Sequence, residues 1–128
     1  MENSNTNFLG LRTVIYVNEN LQAARDWYAD VLGFSPYFDE PFYVGFNVGG
    51  YELGLMPAEG VNQPGGAGVL AYWGVENAEA SFERLISKGA TKREPVTEVG
   101  GGIKVATVFD PFGNVLGVIE NPHFEIKK

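Results

Sequence analysis

The alternation of apolar and polar positions runs through the chain twice. Residues 11–17 (LRTVIYV) are rich in β-branched side chains and predict a strand. Leu21, Ala24, Tyr28 and Val31/Leu32 then recur at helical spacing. Asn20 stands ahead of them, with a side-chain oxygen able to accept from the first free amides, and Gly33 behind them suits a left-handed stop. Segments 34–38, 42–48 and 51–56 predict three short strands, divided by residues 39–41 and by the hairpin signal of Gly49 and Gly50. A Gly- and Pro-rich stretch, 57–68 (PAEGVNQPGGAG), interrupts the pattern.

The same succession then returns. Segment 69–75 (VLAYWGV) predicts a strand, Asn77 a second helix cap, and Ala78, Phe82, Leu85 and Ile86 one apolar helix face closed by Gly89. Strands are expected at 91–99, 103–109 and 114–120, with turns at Gly100, Gly101 and Gly102 and in Asp110-Pro111-Phe112-Gly113. Two copies of a βαβββ unit give an α+β fold of two tandem units, each a mixed sheet with its helix on one face. The other face of each sheet must line a cavity or be buried against another unit. The boundaries expected are units 11–57 and 67–122 joined by a linker at 58–66. They form one domain between a flexible segment 1–10 and a tail 123–128.

Composition narrows the function. The 128 residues hold nine Lys and Arg against 16 Asp and Glu, a net charge of −7, with one histidine and no cysteine. Thiolate zinc sites, disulfides and cysteine nucleophiles are therefore excluded within the chain. The acidic balance argues against nucleic acid as a partner, since phosphate tracking needs clustered cations. No apolar run reaches a membrane-spanning length of roughly 18 residues, and residues 1–7 (MENSNTN) lack a signal peptide's basic and apolar regions. No membrane partner and a cytoplasmic location are the expectations. The letters Gly66-Ala67-Gly68-Val69-Leu70-Ala71 fit a dinucleotide fingerprint, but a linker precedes them and a strand follows, so the match is accidental.

The run 26–34 (DWYADVLGF), the middle stretch 43–57 (YVGFNVGGYELGLMP) and the stretch 109–122 (FDPFGNVLGVIENP) resemble the vicinal oxygen chelate superfamily. That superfamily includes glyoxalases, bleomycin-resistance proteins and extradiol dioxygenases, and the resemblance spans roughly residues 11 to 122. It implies a small-molecule ligand in a cup-shaped cavity and a homodimer. It also implies four metal-ligand positions. Glu52 and Glu120 fall on two of them, Leu70 on the third, and Arg12 (or Thr13) on the fourth. Leucine and arginine offer no lone pair to a metal, so the four-ligand set is incomplete and no metal residues are assigned. No cofactor is assigned from such a set, a divalent metal stays open, and a lone His123 cannot supply a two-histidine iron site. Extradiol dioxygenase chemistry is therefore not expected, short of a metal site assembled between chains.

Strand alternation puts Glu52, Gly54 and Met56 on one face and Leu116, Val118 and Glu120 on another. If both faces line the cup, Glu52 and Glu120 become the acid–base candidates. Arg12 becomes an anion clamp, or simply neutralises the two glutamates. Tyr72, Met56 and one of Tyr43 and Phe46 would contact the ligand, whereas Trp73 would face away. Two functional classes stay open. One is a glyoxalase-like lyase or isomerase working by proton transfer; the other is a non-catalytic protein that sequesters a cationic, partly aromatic drug.

Overall fold

The computed structural model describes residues 8–66 and 68–125. The expectation of a flexible segment at 1–10 falls mostly on residues 1–7, and part of the tail on 126–128, both outside the described residues.

The elements follow in the order β1 (Thr13–Asn18), α1 (Leu21–Leu32), β2 (Phe38–Glu40), β3 (Tyr43–Val48), β4 (Tyr51–Pro57), β5 (Tyr72–Gly74), α2 (Ala78–Ser87), β6 (Thr91–Gly100), β7 (Ile103–Phe109) and β8 (Val115–Glu120). They form two four-stranded mixed sheets, β1-β4-β3-β2 and β5-β8-β7-β6. In each, the first strand runs parallel to the last, and the other pairs are antiparallel. The tandem α+β repeat is the observed fold.

Both helices start where the sequence says they should. Asn20 accepts from the Ala23 amide and Asn77 from the Ala80 amide, satisfying donors that have no partner inside the helix. Gly33, at φ +89°, lets the chain leave α1 through the left-handed region. Two strands differ from expectation. The strand expected at 34–38 forms at Phe38–Glu40, because Pro36 has no amide to give a ladder and Phe34 turns to pack edge-on against Phe46. The strand expected at 69–75 shrinks to Tyr72–Gly74, with Val69 and Leu70 left exposed ahead of it.

The helix-bearing faces of the two sheets share one core. Tyr16, Val44, Phe46, Leu53 and Leu55 of the first unit and Ala106, Val108, Leu116 and Val118 of the second belong to the same buried cluster. Polar groups cross between the units inside it. Trp73 Nε1 donates to Tyr16 Oη at 2.9 Å, Tyr28 Oη to Asp110 Oδ2 at 2.6 Å, and Trp27 Nε1 to the Lys88 carbonyl at 2.8 Å. Such bonds leave these buried donors paired and fix the orientation of one unit against the other. The opposite face of each sheet has no helix over it. Ile15, Phe38, Tyr72 and Phe109, all on these open faces by register, keep 38–40% of their surface exposed.

Candidate functional site

Register decides which side chains share a face. On the first sheet Thr13 lies opposite Glu52, Ile15 opposite Gly54 and Val17 opposite Met56, while Gly45 lies opposite Gly54 and also opposite Phe38. Tyr43, two residues before Gly45, shares its side. This set is the open face, since the alternate residues Val44, Phe46, Leu53 and Leu55 are in the core.

Glu52 is the centre of a built polar cluster on that face. Tyr37 donates its phenol proton to Oε1 and Tyr43 donates to Oε2, each at 2.6 Å. Two glycines make the arrangement possible. A Cβ on Gly54 would collide with the Tyr43 hydroxyl and ring, and one on Gly45 would stand 2.9 Å from Glu52 Oε2 and 3.1 Å from the Tyr37 ring. The backbone is bare where the aromatic rings cross it. Burial, and next the Glu52 carboxylate, push the Tyr43 phenol up to about 12, against a smaller opposing pull from the Thr13 hydroxyl. The Tyr37 phenol is raised too, first by its bond to Glu52. Both tyrosines are thus neutral donors near neutral pH. Phe38 adjoins both, with ring centroids 6.5 Å from Tyr37 and 6.2 Å from Tyr43, and Phe42 lies 6.0 Å beyond Phe38.

The other expected site residues are scattered. Met56 is on the same open face and half-buried. Phe46 is fully buried on the helix side, so of the pair it is Tyr43 that reaches the open face. Glu120 also corrects the expected placement. It shares a face with Leu116 and Val118, and that face is the helix-bearing one; its Oε1 accepts from the Ala78 amide at 2.9 Å. A carboxylate there satisfies an unpaired amide and meets the positive end of the α2 dipole. Glu52 and Glu120 therefore lie on opposite kinds of face and do not share a cavity. Arg12 reaches neither, its Nη1 donating to the carbonyls of Leu9 and Leu11 at the exposed chain start. Tyr72 lies on the open face of the second sheet, leaning over Gly117, where a Cβ would come within 2.8 Å of its ring. Trp73 faces the core as expected. His123 contacts the Gly101 carbonyl at the β6–β7 turn.

Sequence reasoning missed Tyr37 and Phe38, and offered Thr13 only as the alternative to Arg12. The signal was present in the alternate glycines 45 and 54, which clear space on one face and imply large neighbours leaning across it. Two clefts elsewhere do not contain this chemistry. One of about 390 Å³ between α1 and β2 is crossed by the Arg25–Asp39 ion pair, which satisfies its own charges. Another of about 140 Å³ between the units is lined chiefly by apolar side chains such as Leu32, Leu53, Trp73 and Leu116. Among the described residues no group of three or more His, Cys, Asp or Glu is placed to hold a metal ion. Glu52, its partners being phenols, offers a metal one carboxylate. No described helix is long and apolar enough to cross a membrane.

Comparison with known proteins agrees with this architecture. The model of the Glyoxalase/Bleomycin resistance protein/Dioxygenase superfamily matches residues 10–118. Among solved structures, a glyoxalase-related enzyme from Fulvimarina pelagi is 21% identical with a TM-score of 0.75, covering 94% of this chain and 94% of its own. A glyoxalase/bleomycin resistance protein/dioxygenase family enzyme from Burkholderia phytofirmans PsJN is 19% identical with a TM-score of 0.70, covering 84% and 95%. A glyoxalase/bleomycin resistance protein/dioxygenase from Nocardioides is 16% identical with a TM-score of 0.70, covering 98% and 92%. Comparison with curated proteins finds no match. At these identities the structures establish the shared fold, and the family model covers most of the chain. The paired βαβββ units, built around two mixed sheets with open faces, therefore place the chain in the glyoxalase/bleomycin resistance protein/dioxygenase superfamily.

Proposed function

We propose that this protein binds a small organic cation with aromatic parts on the open face of its first sheet and sequesters it without turning it over. The observation that carries this reading is the state of Glu52. Both of its oxygens are engaged by phenols at 2.6 Å, yet no described Lys or Arg forms an ion pair with it. Its charge remains on offer while its lone pairs are partly committed. The rings of Tyr37, Phe38 and Tyr43 add negative ring faces beside that charge, and a cation gains from both. The net charge of −7 favours the approach of such a ligand over long range.

A second copy of the chain is the natural cover for these open faces. Members of the superfamily bind small molecules and often dimerise, and exposed Ile15, Tyr72 and Phe109 supply apolar surface for such a contact. A cytoplasmic setting fits the acidic composition. The enzymatic reading, a lyase or isomerase with Glu52 as acid–base group, keeps one supporting observation: the short Tyr43–Glu52 bond is a path for a proton.

Benzyltrimethylammonium, with neutral benzyl alcohol as its control, tests the proposal. The cation is expected to shift the amide resonances of β3 and β4 and to raise the melting temperature, and the alcohol to do neither. Glu52→Gln removes the charge but keeps the size, and should weaken the cation by about tenfold. Equal binding of the alcohol, or an unchanged affinity in Glu52→Gln, would sink the cation reading. Turnover of a small carbonyl compound that disappears in Glu52→Gln would replace it with the enzymatic one.

A further inference from the structure

The open face of the second sheet carries a feature that the Glu52 site does not use. β6 is an edge strand whose register against β7 shifts between Lys92 and Glu94, leaving Arg93 as the extra residue of a bulge. Bulges re-aim side chains, and this one sends the Arg93 guanidinium across to β7, where Nη1 donates to Thr107 Oγ1 at 3.2 Å. Thr107 is only 2% exposed. It lies opposite Gly117, on the face away from α2, because the alternate residues Ala106 and Val108 are in the core.

No described carboxylate forms an ion pair with Arg93, even though Glu94 is adjacent in the chain and lies opposite Thr107. In a protein with 16 acids and nine Lys and Arg, a half-buried guanidinium without an acid partner stands out. One of its five N–H groups is used on the hydroxyl, which fixes the plane of the fork and leaves the rest to donate. The face beside it is largely apolar, with Glu94 as the acid nearest in register, opposite Thr107. Val105, Ile119 and Phe109 share the face, and the Tyr72 ring leans over the bare backbone of Gly117 beside Thr107.

We propose that Arg93, oriented by Thr107, is the head-group anchor of a second binding site, one that takes a small monocarboxylate with an aromatic or aliphatic body. The carboxylate accepts from the guanidinium fork, and the body lies along Val105 and Ile119 toward Tyr72. Planar, two-point pairing suits a carboxylate, and the apolar field around it strengthens the attraction by excluding water. This site does not depend on the cation reading of Glu52. The two occupy different sheets and select opposite charges.

The probe is benzoate, with benzyl alcohol and inorganic phosphate as controls, followed through the backbone amides of the full chain. Benzoate is expected to shift Tyr72, Thr107 and Gly117 and to leave β4 in place. Arg93→Gln should weaken benzoate by about ten- to hundredfold, the worth of a charge-assisted hydrogen-bond pair. Thr107→Val keeps the volume and loses the orienting hydroxyl, so a smaller loss is expected. Arg12→Gln, at the exposed chain start, should change nothing. An unchanged benzoate affinity in Arg93→Gln would overturn the proposal, as would equal shifts from benzyl alcohol. Phosphate binding as tightly as benzoate would also overturn it, since the apolar body would then contribute nothing. If Arg93→Gln dissociates the protein into monomers and benzoate binds neither form, the guanidinium serves a second copy of the chain and the proposal falls.

Discussion

Gly54 shows how much of the candidate site depends on a missing side chain. The Tyr43 hydroxyl occupies the space a Cβ would take, so Gly54→Ala must push the ring away from Glu52. The expected result is a stability loss of about 1–3 kcal/mol from overpacking, with weaker binding of benzyltrimethylammonium. A chemical denaturation series and the amide titration check the two effects separately. Tyr16 makes a different point, about pH. Burial, opposed by the Trp73 hydrogen bond and joined by Asp110, raises its phenol from 10.0 to about 12. Below pH 10 the phenol is neutral in both states and its contribution to stability is intact. Between pH 10 and about 12 the unfolded chain releases the proton first, so stability falls as pH rises. The loss is on the order of 2–3 kcal/mol at its fullest. Tyr16→Phe should shrink this alkaline loss while lowering stability at neutral pH, because Trp73 Nε1 loses its acceptor. At this scale alternation told which residues share a face, but not which face. The sets Glu52–Gly54–Met56 and Leu116–Val118–Glu120 look alike in sequence, yet one faces outward and the other faces its helix.

Element ends were more legible than the small strands, for a physical reason. Caps are local: Asn20, Gly33 and Asn77 act within four residues, and each stands where its chemistry is needed. Short strands are decided by their neighbours. Residues 34–38 are apolar enough for a strand, but the ladder takes Phe38–Glu40, where β3 offers Gly45, Val44 and Tyr43 as partners. The bulge at Arg93 was also hard to see, although Pro95 in an otherwise extended run is a sign of an edge or a bulge. Glu120 acts at this scale, as part of the α2 start. Glu120→Ala removes an acceptor for the Ala78 amide and a negative charge at the positive helix end. The expected loss is about 1 kcal/mol of stability. Affinity for benzyltrimethylammonium and benzoate should be unchanged. Melting curves and the two titrations on one variant check this, and a loss of ligand affinity without a loss of stability would return Glu120 to the binding machinery.

For the whole molecule the question is what covers two open sheet faces. Each sheet has its helix on one side, and the two helix-bearing sides already meet in a single core, so the chain cannot close its open faces on each other. Ile15 on the first sheet and Tyr72 and Phe109 on the second stay 38–40% exposed. A twofold pair of chains that sets the first sheet of each copy against the second sheet of the other repeats the same contact twice, which is the closed arrangement most oligomers adopt. It buries the exposed Ile15, Tyr72 and Phe109. Sedimentation velocity is therefore expected to show a dimer at micromolar concentration. Ile15→Lys places an ammonium in the middle of that contact, next to Gly54, and should yield monomers whose core is intact and whose far-ultraviolet spectrum is unchanged. A wild-type chain that sediments as a monomer at every concentration would show that the open faces meet solvent and ligand alone. Glu52 and Arg93 would then each have to bind without help from a second subunit.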